Sequence, residues 1–137
     1  MARVLVIEDD ADLRAVLRLI LEAGDHEVLE APEGESGLAL FRARAPDVVL
    51  TDILMPGKEG LETILTLRHE APHAKIIAMS GGGAIVSKQN ALRSAADFGV
   101  RRTLAKPFSA AELLSAIDAV LRGEDSGSSS SASRSSQ

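Results

Sequence analysis

Apolar residues in this chain gather in short continuous runs, with helically spaced stretches between them. Arg3–Ile7 (RVLVI), Glu27–Ala31 (EVLEA), Val48–Thr51 (VVLT, ending in Asp52), Lys75–Met79 (KIIAM) and Arg101–Ala105 (RRTLA) are too short for helices. Pro32 closes the second, Pro46 and Pro56 bracket the third, and the clearest of them read as strands buried on both faces. Between the runs, Leu13, Val16, Leu17, Ile20 and Leu21 repeat at helical spacing up to Gly24. Leu38 and Phe41 mark a weaker helix over 37–45. Leu61, Ile64, Leu65 and Arg68 mark a third, which stops before Pro72. Ala91, Leu92, Ala95 and Ala96 predict a fourth over 90–98, with Gly99 at its end. Leu113, Leu114, Ile117, Val120 and Leu121 form the apolar face of a fifth, opened by the capping box Ser109-Ala110-Ala111-Glu112.

Strict alternation of strand and helix at this spacing calls for parallel βαβ units joined by right-handed crossovers. The expected fold is α/β: a flavodoxin-like (βα)5 doubly wound parallel sheet, strand order 2-1-3-4-5. Residues 1–122 form one domain. From Gly123 the sequence turns to GEDSGSSSSASRSSQ, a Ser-rich stretch that cannot bury a core and is expected to be a disordered tail or linker over 123–137.

Composition narrows the function. The chain has 137 residues, 45% of them hydrophobic, enough for one sizeable core. A net charge of -5 and the near absence of aromatics (2%, without Tyr or Trp) disfavour nucleic-acid and anionic-membrane partners. Cysteine is absent, which removes disulfides and thiolate metal sites. No apolar run approaches a membrane span, so a cytoplasmic protein is expected.

The chemistry gathers just past the strands. Glu8, Asp9 and Asp10 follow the first, Asp52 ends the third, Ser80 follows the fourth and Lys106 the fifth, whereas the second is followed only by proline. In an open α/β sheet, ligands bind outside the carboxyl ends of the strands, at the switch point in strand order. The expected order makes strands one, three, four and five contiguous and leaves the strand without chemistry at the edge. Carboxylates sharing a crevice repel; two unit charges about 4 Å apart cost about 4 kcal/mol at an effective dielectric of 20. A hard divalent cation relieves this, and an all-oxygen set suits Mg²⁺ (or Mn²⁺) rather than zinc. A carboxylate so placed is able to act as nucleophile towards phosphorus, with the Lys106 ammonium and the Ser80 hydroxyl facing the spread charge of the phosphoryl group. Asp10 reads equally well as a helix cap or a member of the site.

VIEDD, VVLTDILMPG, the Ser after IIAM, and LAKPF stand together in the order of a receiver domain of a two-component response regulator, and the chain resembles that family over about residues 2–122. The resemblance implies that Asp52 is the phosphoacceptor. It implies that Asp9 and Asp52 ligate Mg²⁺, with Glu8 acting mostly through water and the Leu54 main-chain carbonyl as a further ligand. Ser80 and Lys106 would contact phosphoryl oxygens, and the Lys106-Pro107 peptide would be cis. A phosphohistidine on a histidine kinase or histidine phosphotransfer protein would be the donor. The domain would catalyse only its own phosphorylation and dephosphorylation, switch the docking of a downstream partner, and exist as a monomer or a weak phosphorylation-dependent dimer.

Two departures from the family pattern bear on output. The aromatic expected three residues before the Lys is Thr103. The interval from Ser80 to Lys106 is also longer than the family's, with Gly81-Gly82-Gly83 beside Ser80 and the extra residues placed in 84–89. A glycine-rich loop there is expected to be mobile, and its reorganisation to replace the aromatic switch. Leu54 stands where a haloacid-dehalogenase-type phosphatase needs a second acid, and Glu8-Asp9-Asp10 would repel the phosphate of a flavodoxin's FMN. The closer alternatives are a pseudo-receiver that binds partners without being phosphorylated, or the receiver module of a longer regulator or hybrid histidine kinase. His26, His69 and His73 read as solvated surface groups, and Met55 and Met79 as packing or turn residues.

Overall fold

The computed structural model describes residues 2–52, 59–80 and 100–123, with the backbone alone at 59–61 and 80. The expected glycine loop, the helix over 90–98, the Leu54 carbonyl, Met55 and the Ser-rich tail lie outside the described residues. In chain order the elements are β1 (Arg3–Ile7), α1 (Ala11–Ala23), β2 (Glu27–Ala31), α2 (Gly34–Arg44), β3 (Val48–Asp52), α3 (Glu59–Glu70), β4 (Ile76–Ser80), β5 (Arg102–Ala105) and α4 (Ala110–Leu121). The five strands form one parallel sheet in the order β2-β1-β3-β4-β5, as the alternating pattern predicts.

Successive residues of a strand point to opposite faces, so each apolar run feeds two cores. Val4, Val6, Val48, Leu50, Ile77 and Met79 pack on one face against Leu17 and Leu21 of α1 and Leu113, Ile117 and Val120 of α4. Leu5, Ile7, Val49, Ile76 and Ala78 pack on the other against Ile64 and Leu67 of α3. With both faces covered, the strands need no polar alternation, which is why they read as continuous apolar runs.

The helices differ from expectation in detail. In α1 the buried stripe is Leu17 and Leu21, and Val16 is 49% exposed beside Leu19 at 68%. In α3, Leu67 is buried where Leu65 was expected and Leu65 faces out, while the Leu61 side chain lies outside the described residues. A helix resting on a flat sheet buries a narrow stripe, so one of two adjacent apolar residues is left outside it. The second helix begins at Gly34, three residues earlier than the apolar pattern marks, and β4 runs one residue further, to Ser80. His26 is buried rather than solvated, and its Nδ1 accepts the Ala2 backbone N–H at 3.2 Å. His69 and His73 are exposed, as expected.

The cap of α1 settles the role of Asp10. Its Oδ1 accepts the N–H groups of Asp12 at 3.0 Å and Leu13 at 3.2 Å, so it is the N-cap. The capping box at the start of α4 is formed in both directions between Ser109 and Glu112.

Gly37 lets α2 approach β1 closely, because a Cβ there would overlap the fully buried Ile7 side chain. Gly37→Ala is expected to lower stability by about 1 kcal/mol, since overpacking at a filled contact outweighs the gain in helix propensity. Chemical denaturation measures it, and a more stable variant would show that the α2–β1 contact has slack.

Candidate functional site

Parallel pairing brings the carboxyl ends of the strands to one edge. Ile7 pairs with Thr51, Asp52 with Met79, and Ser80 with Ala105. The chain leaves β1 at Glu8, whose N–H still donates to the Ala31 carbonyl at the end of β2 (3.0 Å), and then turns into α1 through Asp9 and the Asp10 cap. Glu8, Asp9, Asp52 and Lys106 therefore converge although up to 98 residues separate them.

Glu8 is 1% exposed and Asp52 7%, whereas Asp9 opens to solvent. One carboxylate oxygen from each of the three lies within 4.8 Å of the others. Lys106 reaches into the same crevice, its Nζ donating to Asp52 Oδ2 at 2.7 Å and to Glu8 Oε1 at 3.2 Å. The Asp10 backbone N–H holds the other Glu8 oxygen at 3.1 Å. The Lys106-Pro107 peptide is cis, as the resemblance implies.

The electrostatics follow from burial. Loss of hydration pushes the Glu8 carboxyl up from its ordinary 4.5 to about 7; the Asp10 N–H and the Lys106 charge oppose the rise, and the Asp52 charge adds to it. Burial alone would lower the Lys106 ammonium, but the hydrogen bond and charge of Asp52, followed by those of Glu8, outweigh it and raise the group above 10.5. Lys106 is thus a cation at neutral pH, set among three acids. The donor set is all oxygen and carries excess negative charge even with Lys106 in place, which fits a hard divalent cation.

Of the residues expected at the site, Glu8, Asp9, Asp52 and Lys106 are brought together. Ser80 ends β4 at the same edge, with its backbone paired to Ala105; its side chain and the Leu54 carbonyl lie outside the described residues. Thr103 is half-buried in β5, opposite Ala78 in the register. Sequence patterning missed Arg14. Its guanidinium donates to the Glu8 carbonyl at 2.6 Å and to Glu30 Oε1 at 3.2 Å. The one signal for it is position: Arg14 sits one turn beyond the Asp10 cap, beside the buried stripe of α1.

Comparison with known proteins gives the family and the fold. The model of the response regulator receiver domain matches residues 4–118, and the chain belongs to that family. Protein PilH of Pseudomonas aeruginosa is 37% identical over 125 residues, which are 90% of this chain and 100% of that protein. The transcriptional regulatory protein CseB of Streptomyces avermitilis is 36% identical over 87% of this chain, but the match spans only 48% of CseB. This chain thus spans about half the length of some curated relatives and the whole of others. Among solved structures, a response regulator receiver domain protein from Clostridium thermocellum superposes with a TM-score of 0.82 at 29% identity, covering 90% of this chain and 96% of that one. The fold is the flavodoxin-like receiver fold, and the protein is a signalling domain of two-component systems. Among the described residues, no helix is long and apolar enough to cross a membrane.

Proposed function

We propose that this receiver accepts a phosphoryl group on Asp52 from a phosphohistidine of a histidine kinase or histidine phosphotransfer protein. The observation that carries the reading is the Lys106 ammonium, 2.7 Å from Asp52 and braced by Glu8, in a crevice where an isolated lysine or acid would be costly. An Asp52 carboxylate oxygen attacks phosphorus as the phosphorus–nitrogen bond to the donor imidazole breaks, and the bond electrons leave with the imidazole, which takes up a proton. Lys106 neutralises charge on the phosphoryl oxygens, and the Ser80 hydroxyl is the second group assigned to them. Asp9 and Asp52, with Glu8 through water and the Leu54 carbonyl, would hold a Mg²⁺ ion. The ion supplies charge neutralisation for the incoming phosphoryl group. Hydrolysis of the acyl phosphate returns the domain to its starting state, so it acts on no substrate but itself. Output is through docking of a downstream protein in the cytoplasm.

Acetyl phosphate with Mg²⁺ tests the reading by intact mass. One phosphoryl adduct is expected, not formed when chelator replaces Mg²⁺ and not formed in Asp52→Asn; an adduct of equal yield in the variant would refute the assignment.

A further inference from the structure

The acidic turn after β1 is pinned from outside the crevice by a cation that the chemistry above does not use. Every polar group of Glu8 has a partner: its N–H is on Ala31, its carboxylate on Asp10 and Lys106, and its carbonyl accepts from Arg14 at 2.6 Å. Arg14 does not stand alone. Its Nε donates to Glu30 Oε1 of β2, and Glu30 also takes Arg18, which in turn holds Glu22 one turn further along α1. The Arg14 side chain is 18% exposed, and its planar fork lets one group span a carbonyl and a carboxylate.

The contact matters because of where the carbonyl lies. The Glu8 C=O and the Asp9 N–H belong to one rigid peptide plane. Fixing the carbonyl fixes that plane and therefore the direction in which the chain enters Asp9. Asp9 is the exposed acid of the three, and among the described residues no hydrogen bond holds its own side chain, so the backbone that carries it has most to decide. With Glu30 matching its charge, Arg14 contributes geometry rather than field.

We propose that Arg14, braced on Glu30, is a positioning residue that sets the Asp9 backbone and so tunes the affinity of the acid crevice for a divalent cation. The inference rests on the metal-binding reading of the site. Outer partners of metal ligands typically contribute 10–100-fold in affinity.

Mn²⁺ alone serves as the probe, with free ion measured by electron paramagnetic resonance during titration of the full chain and melting in chelator recorded in parallel. Arg14→Ala is expected to weaken Mn²⁺ binding by roughly tenfold or more. Arg14→Lys, able to reach the carbonyl or Glu30 but not both, should recover part of that loss. Glu30→Gln should weaken binding by a smaller factor, and Glu22→Gln, at the outer end of the network, should leave it unchanged. A lowered metal-free melting temperature with Mn²⁺ affinity unchanged in both Arg14→Ala and Glu30→Gln would overturn the proposal and reduce Arg14 to a structural salt bridge. If Arg14→Ala does not fold, Glu30→Gln decides alone. Failure of the unaltered protein to bind Mn²⁺ would bring down the metal-site reading and this proposal together, whereas binding by wild type and both variants alike brings down only the role of Arg14.

Discussion

Lys106→Ala should slow phosphoryl adduct formation by roughly 10²–10³-fold, the usual cost of removing one preorganised donor that faces developing charge. The geometry gives two reasons for a large effect. Lys106 donates directly to Asp52, and the hydrogen bonds and charges of Asp52 and Glu8 hold its ammonium above the ordinary 10.5. Its loss also leaves Glu8 and Asp52 buried without that compensation. Metal-free stability at pH 8 should therefore fall by on the order of 2 kcal/mol, less than for a fully buried pair because the Lys106 side chain keeps 22% exposure. The loss should shrink at pH 5, where Glu8 is protonated in both proteins. Rates from intact mass against time, at saturating Mg²⁺ and acetyl phosphate, check the first part, and denaturation at two pH values checks the second. An adduct rate within a few-fold of wild type would remove Lys106 from the chemistry.

The second large effect belongs to Glu8. Its carboxyl is at about 7 in the folded chain against an ordinary 4.5, so between those values the folded state binds more protons than the unfolded one. Stability from this group is complete below pH 4.5 and is lost as pH rises through 7. At about 1.4 kcal/mol per pH unit the whole span amounts to about 3 kcal/mol. Glu8→Gln keeps the shape and one acceptor oxygen, which serves Lys106 or the Asp10 N–H but not both, and it removes the titration. In chelator, the stability of the variant relative to wild type should therefore rise by about 3 kcal/mol from pH 4 to pH 8. The difference between the two proteins isolates Glu8. Glu30, lowered by its hydrogen bond to Arg18, pulls the absolute curve the other way as pH falls, and it does so equally in both. Parallel curves for the two proteins from pH 4 to 8 would contradict the buried-acid account.

The sheet was legible because its strands are covered on both faces and so leave unbroken apolar runs, and because each functional strand ends in a polar residue. These two features alone assign Glu8, Asp9, Asp52 and Lys106 to one edge of the sheet. Side-chain exposure on the helices was not legible at the same grain: Val16 and Leu65 obey the helical period and still face solvent. Asp10 could not be divided between cap and site by spacing alone, and only its bonds to Asp12 and Leu13 decide it. The burial of His26 goes with the Ala2 N–H donating to its ring, a contact across 24 residues with no local pattern. Arg14 of α1 and Glu30 of β2 meet as side chains of consecutive elements, 16 residues apart, a pairing that neither the helical nor the strand period marks in the sequence.

The central claim is that the phosphoryl group resides on Asp52. Treating the phosphorylated chain with borotritide reduces an aspartyl phosphate to tritiated homoserine, and peptide mapping then locates the label. The account predicts labelled homoserine at position 52, in Mg²⁺-treated samples only. Label at Asp9 or Glu8, or a stable ester on Ser80 or the Ser-rich stretch with position 52 unlabelled, would contradict it.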